Sequence, residues 1–198
     1  SAGDKAVPSL TGAYKATSSP ELRRRQLLVL SRIQSKDALA VLRGALTDRD
    51  AGVRQVAARS LGILEDKSSG PLLVGLLKDT DPSVIRAAAT SLGQVGEKSA
   101  VPALFEVLHV DAELYLQHAA THALIEIGNA PATVAYLGKA GKPHWQKTAL
   151  RVLEQMKTGA LLPSMVVPLL TSPLATVRDE AQRVISARPE WRDEVLGV

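Results

Sequence analysis

The sequence predicts an all-α fold, an α-solenoid of about six short helix pairs, and three observations predict it. A motif recurs at a fixed offset: LTDRDAGVRQVAARSLGIL, from Leu46, matches LKDTDPSVIRAAATSLGQV, from Leu77, 31 residues further on. Asp48, Asp50, Val53, Ala57, Ala58, Leu61 and Gly62 pair with Asp79, Asp81, Val84, Ala88, Ala89, Leu92 and Gly93, and such a period marks a stacked array. Composition agrees, because 45% apolar content with only 3% aromatics favours helices packed through alanine and leucine over a sheet. Finally, a short apolar segment precedes each copy and polar turns such as EDKSSG and GEKSA follow, which forces antiparallel neighbours.

Each unit is an A helix followed by a B helix. In the first, VPSLTGAY from Val7 is the weakest A segment, and Leu22, Gln26 and Leu30 set the frame of the B helix. The second and third pair ALAVLRGAL from Ala38, and PLLVGLL from Pro71, with the two copies of the motif. VPALFEVL from Val101 precedes a B helix framed by Leu116, Ala120 and Leu124. TVAYLGK from Thr133 precedes Trp145, Ala149 and Leu153, and LLPSMVVPLL from Leu161 precedes Val177, Ala181 and Ile185. Asp50, Asp81 and Ser172 stand at B-helix N-caps, with Pro82 and Pro173 at first helical positions. Gly96 and Gly128 stand where helices end. The fifth unit holds GKAGKPH and lacks paired aspartates, so a bend or loosened helix is expected there. The tail PEWRDEVLGV is expected to close the stack with a short helix carrying Trp191. The whole of residues 1–198 reads as one repeat domain.

Several chemistries are excluded. With no cysteine there is no disulfide, thiolate metal site or cysteine nucleophile. No apolar run approaches the roughly 20 residues of a membrane span. The start SAGDK, without methionine or a signal pattern, is expected to be a cloning scar or the edge of a fragment. Net charge is +4, with the excess in the first half, where 15 Lys/Arg face 10 Asp/Glu; such asymmetry suits an acidic partner. There is no P-loop, dinucleotide fingerprint or Ser/His/Asp arrangement.

The pattern D-x-x-V-R-x-x-A-A-x-x-L-G, at Asp50 to Gly62 and in varied form at Asp81 to Gly93, resembles the short HEAT-like repeat of phycobilisome lyase-type HEAT proteins. The resemblance covers roughly residues 20–187 and implies a solenoid whose B helices line the concave surface. Departures from the motif, Ile85 and the pairs Leu116-Gln117 and Trp145-Gln146, imply an incomplete arginine ladder, and Arg54 and Arg178 are expected to pair with neighbouring aspartates. The segment LQHAATHALIEIG is also similar to HEAT segments of large planctomycete-type proteins that join a sugar-dehydrogenase-like propeller to a c-type cytochrome domain. That likeness implies an exported or periplasmic spacer; without it a cytoplasmic protein is expected.

With Val53 at 0° on its helix, Gln55 and Arg59 fall near 200° and 240°, away from the buried face. Two outward rows follow across the B helices: Arg24, Gln55, Arg86, His118, Lys147 and Asp179, then Leu28, Arg59, Thr90, His122, Arg151 and Arg183. A mildly basic groove is expected, with Arg24, Gln55, Arg59, Arg86, Thr90, His118, His122, Lys147, Arg151 and Arg183 as its partner-binding residues. His118, His122 and Glu126 advance about 40° per step and the histidines have zincin spacing, but Ala119 stands where HExxH needs its general base and only two imidazoles and one drifting carboxylate are at hand, so the histidines read as members of the stripe and no metal or cofactor is expected. Trp145, at the Val53-equivalent site, reads as core, and Arg23, Arg24 and Arg25 read as a solvated basic face weighed against a phosphate clamp.

The expected function is non-catalytic: a monomeric protein-interaction or spacer domain that takes an acidic segment or neighbouring domains of its own chain. Two alternatives stand beside it. The basic groove suits nucleic acid, as in HEAT-repeat alkylpurine DNA glycosylases, although stacking aromatics are scarce. The lyase resemblance allows a chromophore lyase, although no acid/base pair can be assigned.

Overall fold

The computed structural model describes residues 2–109, 112–139, 141–156 and 159–191, with side chains from residue 5 onward. Among them are twelve α-helices and no strand. They form six pairs in chain order: α1 (Ala2–Ala16) with α2 (Pro20–Leu30), α3 (Lys36–Gly44) with α4 (Ala51–Ile63), α5 (Gly70–Leu76) with α6 (Pro82–Val95), α7 (Val101–Val107) with α8 (Leu114–Ile127), α9 (Ala130–Val134) with α10 (Pro143–Gln155), and α11 (Pro163–Val166) with α12 (Ala175–Ser186). None of these helices is long and apolar enough to cross a membrane.

The caps are local chemistry. Asp50 accepts a hydrogen bond from the Val53 N–H at 3.0 Å and Asp81 one from Ser83 at 2.8 Å, satisfying orphan donors of the first turn. Pro82 opens α6, and Gly96 (φ +68°) and Gly128 (φ +63°) end α6 and α8 in the left-handed region. Ser172 departs from expectation. Its hydroxyl accepts from the Leu174 N–H two residues on at 3.3 Å, closing a local turn, so helical geometry begins only at Ala175 with Leu174 as the cap. In the fifth unit α9 has five residues and ends at Val134; the glycine-rich segment expected to bend or loosen a helix follows it as non-helical chain at Gly138, Lys139, Gly141 and Lys142 before α10 opens at Pro143. The tail begins with a 3-10 turn at Pro189–Trp191, with Trp191 packed on the core and Arg188 over its ring; residues 192–198 of the expected closing helix lie outside the described residues.

Packing is closest between α4, α6 and α8, and small side chains make it so. A Cβ on Gly62 would come within 2.7 Å of the Ser91 Cβ, and one on Gly93 within 2.9 Å of the Ala123 Cα. The leucine-glycine pair of the motif therefore sets the spacing of adjacent B helices. Ser91, fully buried between them, donates to the Ala58 carbonyl of the previous unit at 2.9 Å. Val53, Ala57, Leu61, Val84, Ala88, Leu92, Ala120, Leu124, Ala149 and Leu153 are all buried, as the frame requires, and so is Trp145. Gln26 and Ile185 of the frame are half-buried, and Leu22 departs furthest at 46% exposed. The stack offers α2 no B helix on its outer side, so the residue equivalent to Val53 has nothing to pack against.

A polar ladder links the first three units. Arg54 holds Asp79 in a two-armed pair, both contacts at 2.7 Å, and donates to the Asp48 carbonyl at 2.7 Å. One unit earlier Arg23 donates to Asp48 at 3.0 Å, where Tyr14 also donates at 2.8 Å. Ile85 occupies the next arginine position and the ladder stops, as expected from the motif. Arg178, expected to pair with an aspartate, has no acidic partner among the described residues and donates instead within its own unit, to the Ser172 carbonyl at 2.7 Å.

Two turns that follow B helices hold a non-glycine residue in the left-handed region, Gln34 (φ +54°) after α2 and Glu65 (φ +49°) after α4, and the second closes its helix. The Asp66 N–H bonds to the Leu61 carbonyl and the Glu65 N–H to Gly62, the same closure that Gly96 makes after α6, but Glu65 sits at φ +49° with a side chain. A left-handed non-glycine residue costs about 1–2 kcal/mol, part of which glycine returns as unfolded-chain entropy. Glu65→Gly is therefore expected to stabilise the fold by about 0.5–1 kcal/mol, read as a higher urea midpoint with an unchanged slope. A lower midpoint would show that the side chain itself holds the turn.

Candidate partner-binding face

All ten residues predicted to bind lie on B helices, from Arg24 on α2 to Arg183 on α12, and none is buried. The structure divides them. Gln55, Arg59, Arg86 and Thr90 line one groove of about 640 Å³ between α4 and α6, whose far wall is Glu113 and Tyr115 at the start of α8. His118, His122 and Arg151 line a second groove of about 440 Å³ between α8 and α10, with Leu114 and Thr148. Arg24, Lys147 and Arg183 line neither.

The positive charge on this face is largely matched. Arg24 contacts Glu21 at 2.7 Å and Asp50 at 3.4 Å, and Arg86 contacts Glu113 at 3.3 Å. Arg151 contacts Glu180 at 2.9 Å, and Arg183 bridges Glu154 and Glu180. Burial pushes the Glu180 carboxyl up, but the hydrogen bonds and charges of Arg151 and Arg183 outweigh it and hold it below the usual carboxylate value. Glu21 is likewise held down by hydrogen bonds from Arg24 and Arg25. Among the described residues Arg59 and Lys147 have no acidic partner. The triple arginine run resolves into a buried ladder member, Arg23, and two residues neutralised by Glu21.

The histidines part company. Both stand on the wall of the second groove, but His122 Nδ1 also lies 3.4 Å from Glu126 Oε2, one turn on. Among the described residues no three His, Cys, Asp or Glu side chains gather closely enough to hold a metal ion.

Two sets of residues on this face escaped the sequence reading, apart from Glu126, which stands out there as the carboxylate four residues after His122. Tyr115 is 67% exposed, with the Arg86 guanidinium carbon 5.9 Å from its ring centre. It precedes the frame residue Leu116, at about 260° on the helix, beside the outward rows, so the same projection finds it. One turn beyond the second row lies a third, Ile63, Gln94, Glu126 and Gln155, at about 280°. These four side chains border a further groove of about 710 Å³ at the C-terminal ends of the B helices.

Comparison with known proteins agrees with this architecture. The family model described as HEAT repeats matches residues 7–90, 47–125 and 70–146. No curated protein matches the chain. Among solved structures, the complex of CpcE and CpcF of phycocyanin lyase from Nostoc sp. PCC7120 is similar at 26% identity and a TM-score of 0.59, covering 91% of this chain and 76% of that one. Two engineered proteins share the fold. One has 21% identity and a TM-score of 0.55 over 91% of this chain and 95% of its own, the other 22% and 0.54 over 92% and 60%.

Proposed function

The chain belongs to the HEAT-repeat family, and from that premise we propose that its 198 residues form one non-catalytic array that holds an acidic segment of a protein partner or of a neighbouring domain. Each unit buries its apolar side only against neighbours, which leaves the outer B-helix face free for recognition. One observation carries the reading: Arg59, exposed and without an acidic partner among the described residues, and Arg86 share a groove with the exposed Tyr115 ring. Guanidinium groups beside an aromatic surface suit a carboxylate-bearing chain with an apolar residue next to it. Glu113 on Arg86 marks where an incoming carboxylate would sit.

A fluorescent glutamate-rich peptide should bind with an affinity that falls as salt rises. Arg59→Glu should weaken it about tenfold, and Glu113→Gln should strengthen it by releasing Arg86. Equal binding by wild type and Arg59→Glu would sink the assignment of this groove. Duplex DNA serves as the competitor that separates the readings, since phosphate contacts give a far steeper salt slope. The matched charges at Arg24, Arg151 and Arg183 favour the protein partner.

The likeness to the phycocyanin lyase complex supports a second reading, a lyase-like subunit. The carboxylates that shift on this face, Glu21 and Glu180, shift downward under arginine contacts, which suits holding charge more than carrying protons.

A further inference from the structure

The groove at the C-terminal ends of α4, α6, α8 and α10 carries the opposite sign from the one beside Arg59, and it lies outside the function proposed above. Its floor is apolar: Gly62 and Gly93 bring the backbones close, Met156 is buried beneath it, and Ile125 is half-buried. Ile63 stands at its edge 72% exposed, the most exposed large aliphatic side chain among the described residues. Around that floor stand Glu65 and Glu126. Among the described residues Glu126 has the His122 imidazole as its one basic neighbour and Glu65 has no cationic partner.

Backbone electrostatics point the same way. Helix C-termini bear partial negative charge, and a lysine or arginine in the last turn is the usual answer to it. None of these four helices has one there, although α3 and α12 do, in Arg43 and Arg183. Lys67 supplies one contact, donating to the Val95 carbonyl at 2.7 Å. The ends of α4, α8 and α10 receive no such contact among the described residues.

We infer that this groove docks a second protein segment, one that sets a lysine or arginine beside a leucine or isoleucine, with its cation between Glu65 and Glu126 and its aliphatic side chain on Ile63, Ile125 and the glycine floor. An acidic segment is repelled there, and a purely apolar one leaves both carboxylates and three helix ends unanswered. The outer face of the B helices is thus polarised along its width: it takes acid near the helix starts and base near the helix ends.

The test uses a short fluorescent peptide centred on Lys-Leu-Leu-Lys, followed by anisotropy with the full chain. Wild type should bind it and lose it as salt rises. The double variant Glu65→Lys, Glu126→Lys should lower affinity about tenfold and Ile63→Ser about threefold. Circular dichroism checks that the double variant is folded; if it is not, the neutral pair Glu65→Gln, Glu126→Gln decides, with an expected loss of about threefold. No binding by wild type, or equal binding by the carboxylate variants, overturns the inference. Loss of the glutamate-rich probe alone, with this one retained, counts against the earlier proposal and leaves this one standing.

Discussion

Arg54→Ala is expected to lower the unfolding free energy by about 3 kcal/mol, the low end for breaking a buried ion pair by removing one partner. Asp79 is 7% exposed at its side chain and Arg54 14%, so the carboxylate left behind cannot turn to water. The loss sits at the low end because the Asp81 N–H still donates to Asp79 at 2.9 Å. Arg54→Lys should fall between wild type and alanine, keeping the charge but losing the two-armed geometry and the bond to the Asp48 carbonyl.

The pH dependence has a definite sign. Arg54, the main cause, holds the Asp79 carboxyl below its ordinary value of 3.8. A carboxyl depressed in the folded state contributes stability that is present in full above its unfolded value and is lost as pH falls through the folded one. The gap between wild type and Arg54→Ala should therefore be constant near neutrality and shrink below about pH 4. Urea unfolding at pH 7 and pH 3 measures it. A gap that is the same at both would show that Arg54 acts through packing alone.

Phe105→Ala should cost about 3–4 kcal/mol, by lost transfer energy and the cavity left behind. Phe105 is fully buried, stacks on Tyr136 at 3.6 Å between ring centres and meets Trp145 edge-on at 6.3 Å. These three rings come from α7, the turn after α9, and α10. They fill the junction where α9 is cut to five residues and cannot itself bridge units four and five. Phe105→Leu, which keeps most of the volume, should cost about 1–1.5 kcal/mol. Hydrogen exchange should show amides of α7 to α10 losing protection before those of α4, since a repeat array transmits stability mainly between neighbours. Uniform loss along the chain would mean that the units melt as one.

The sequence by itself determined the six-unit array. Val53, Ala57 and Leu61 recur at a spacing only a helix buries on one side, and the capping aspartates and closing glycines act within a few residues of themselves. The outward rows were legible for the same reason, because helical geometry sends i, i+4 positions to one side wherever the helix goes. Tertiary structure alone decided how those rows behave. Whether Arg86 is answered by Glu113, Arg151 by Glu180, or Arg59 by nothing among the described residues depends on distances across helices some 27 to 29 residues apart, and the first of these follows from how closely Gly93 lets α6 and α8 approach. The exposure of Leu22 and the third row of Ile63, Gln94, Glu126 and Gln155 belong to the same class, since burial and grooves are properties of neighbours that a single helix does not carry.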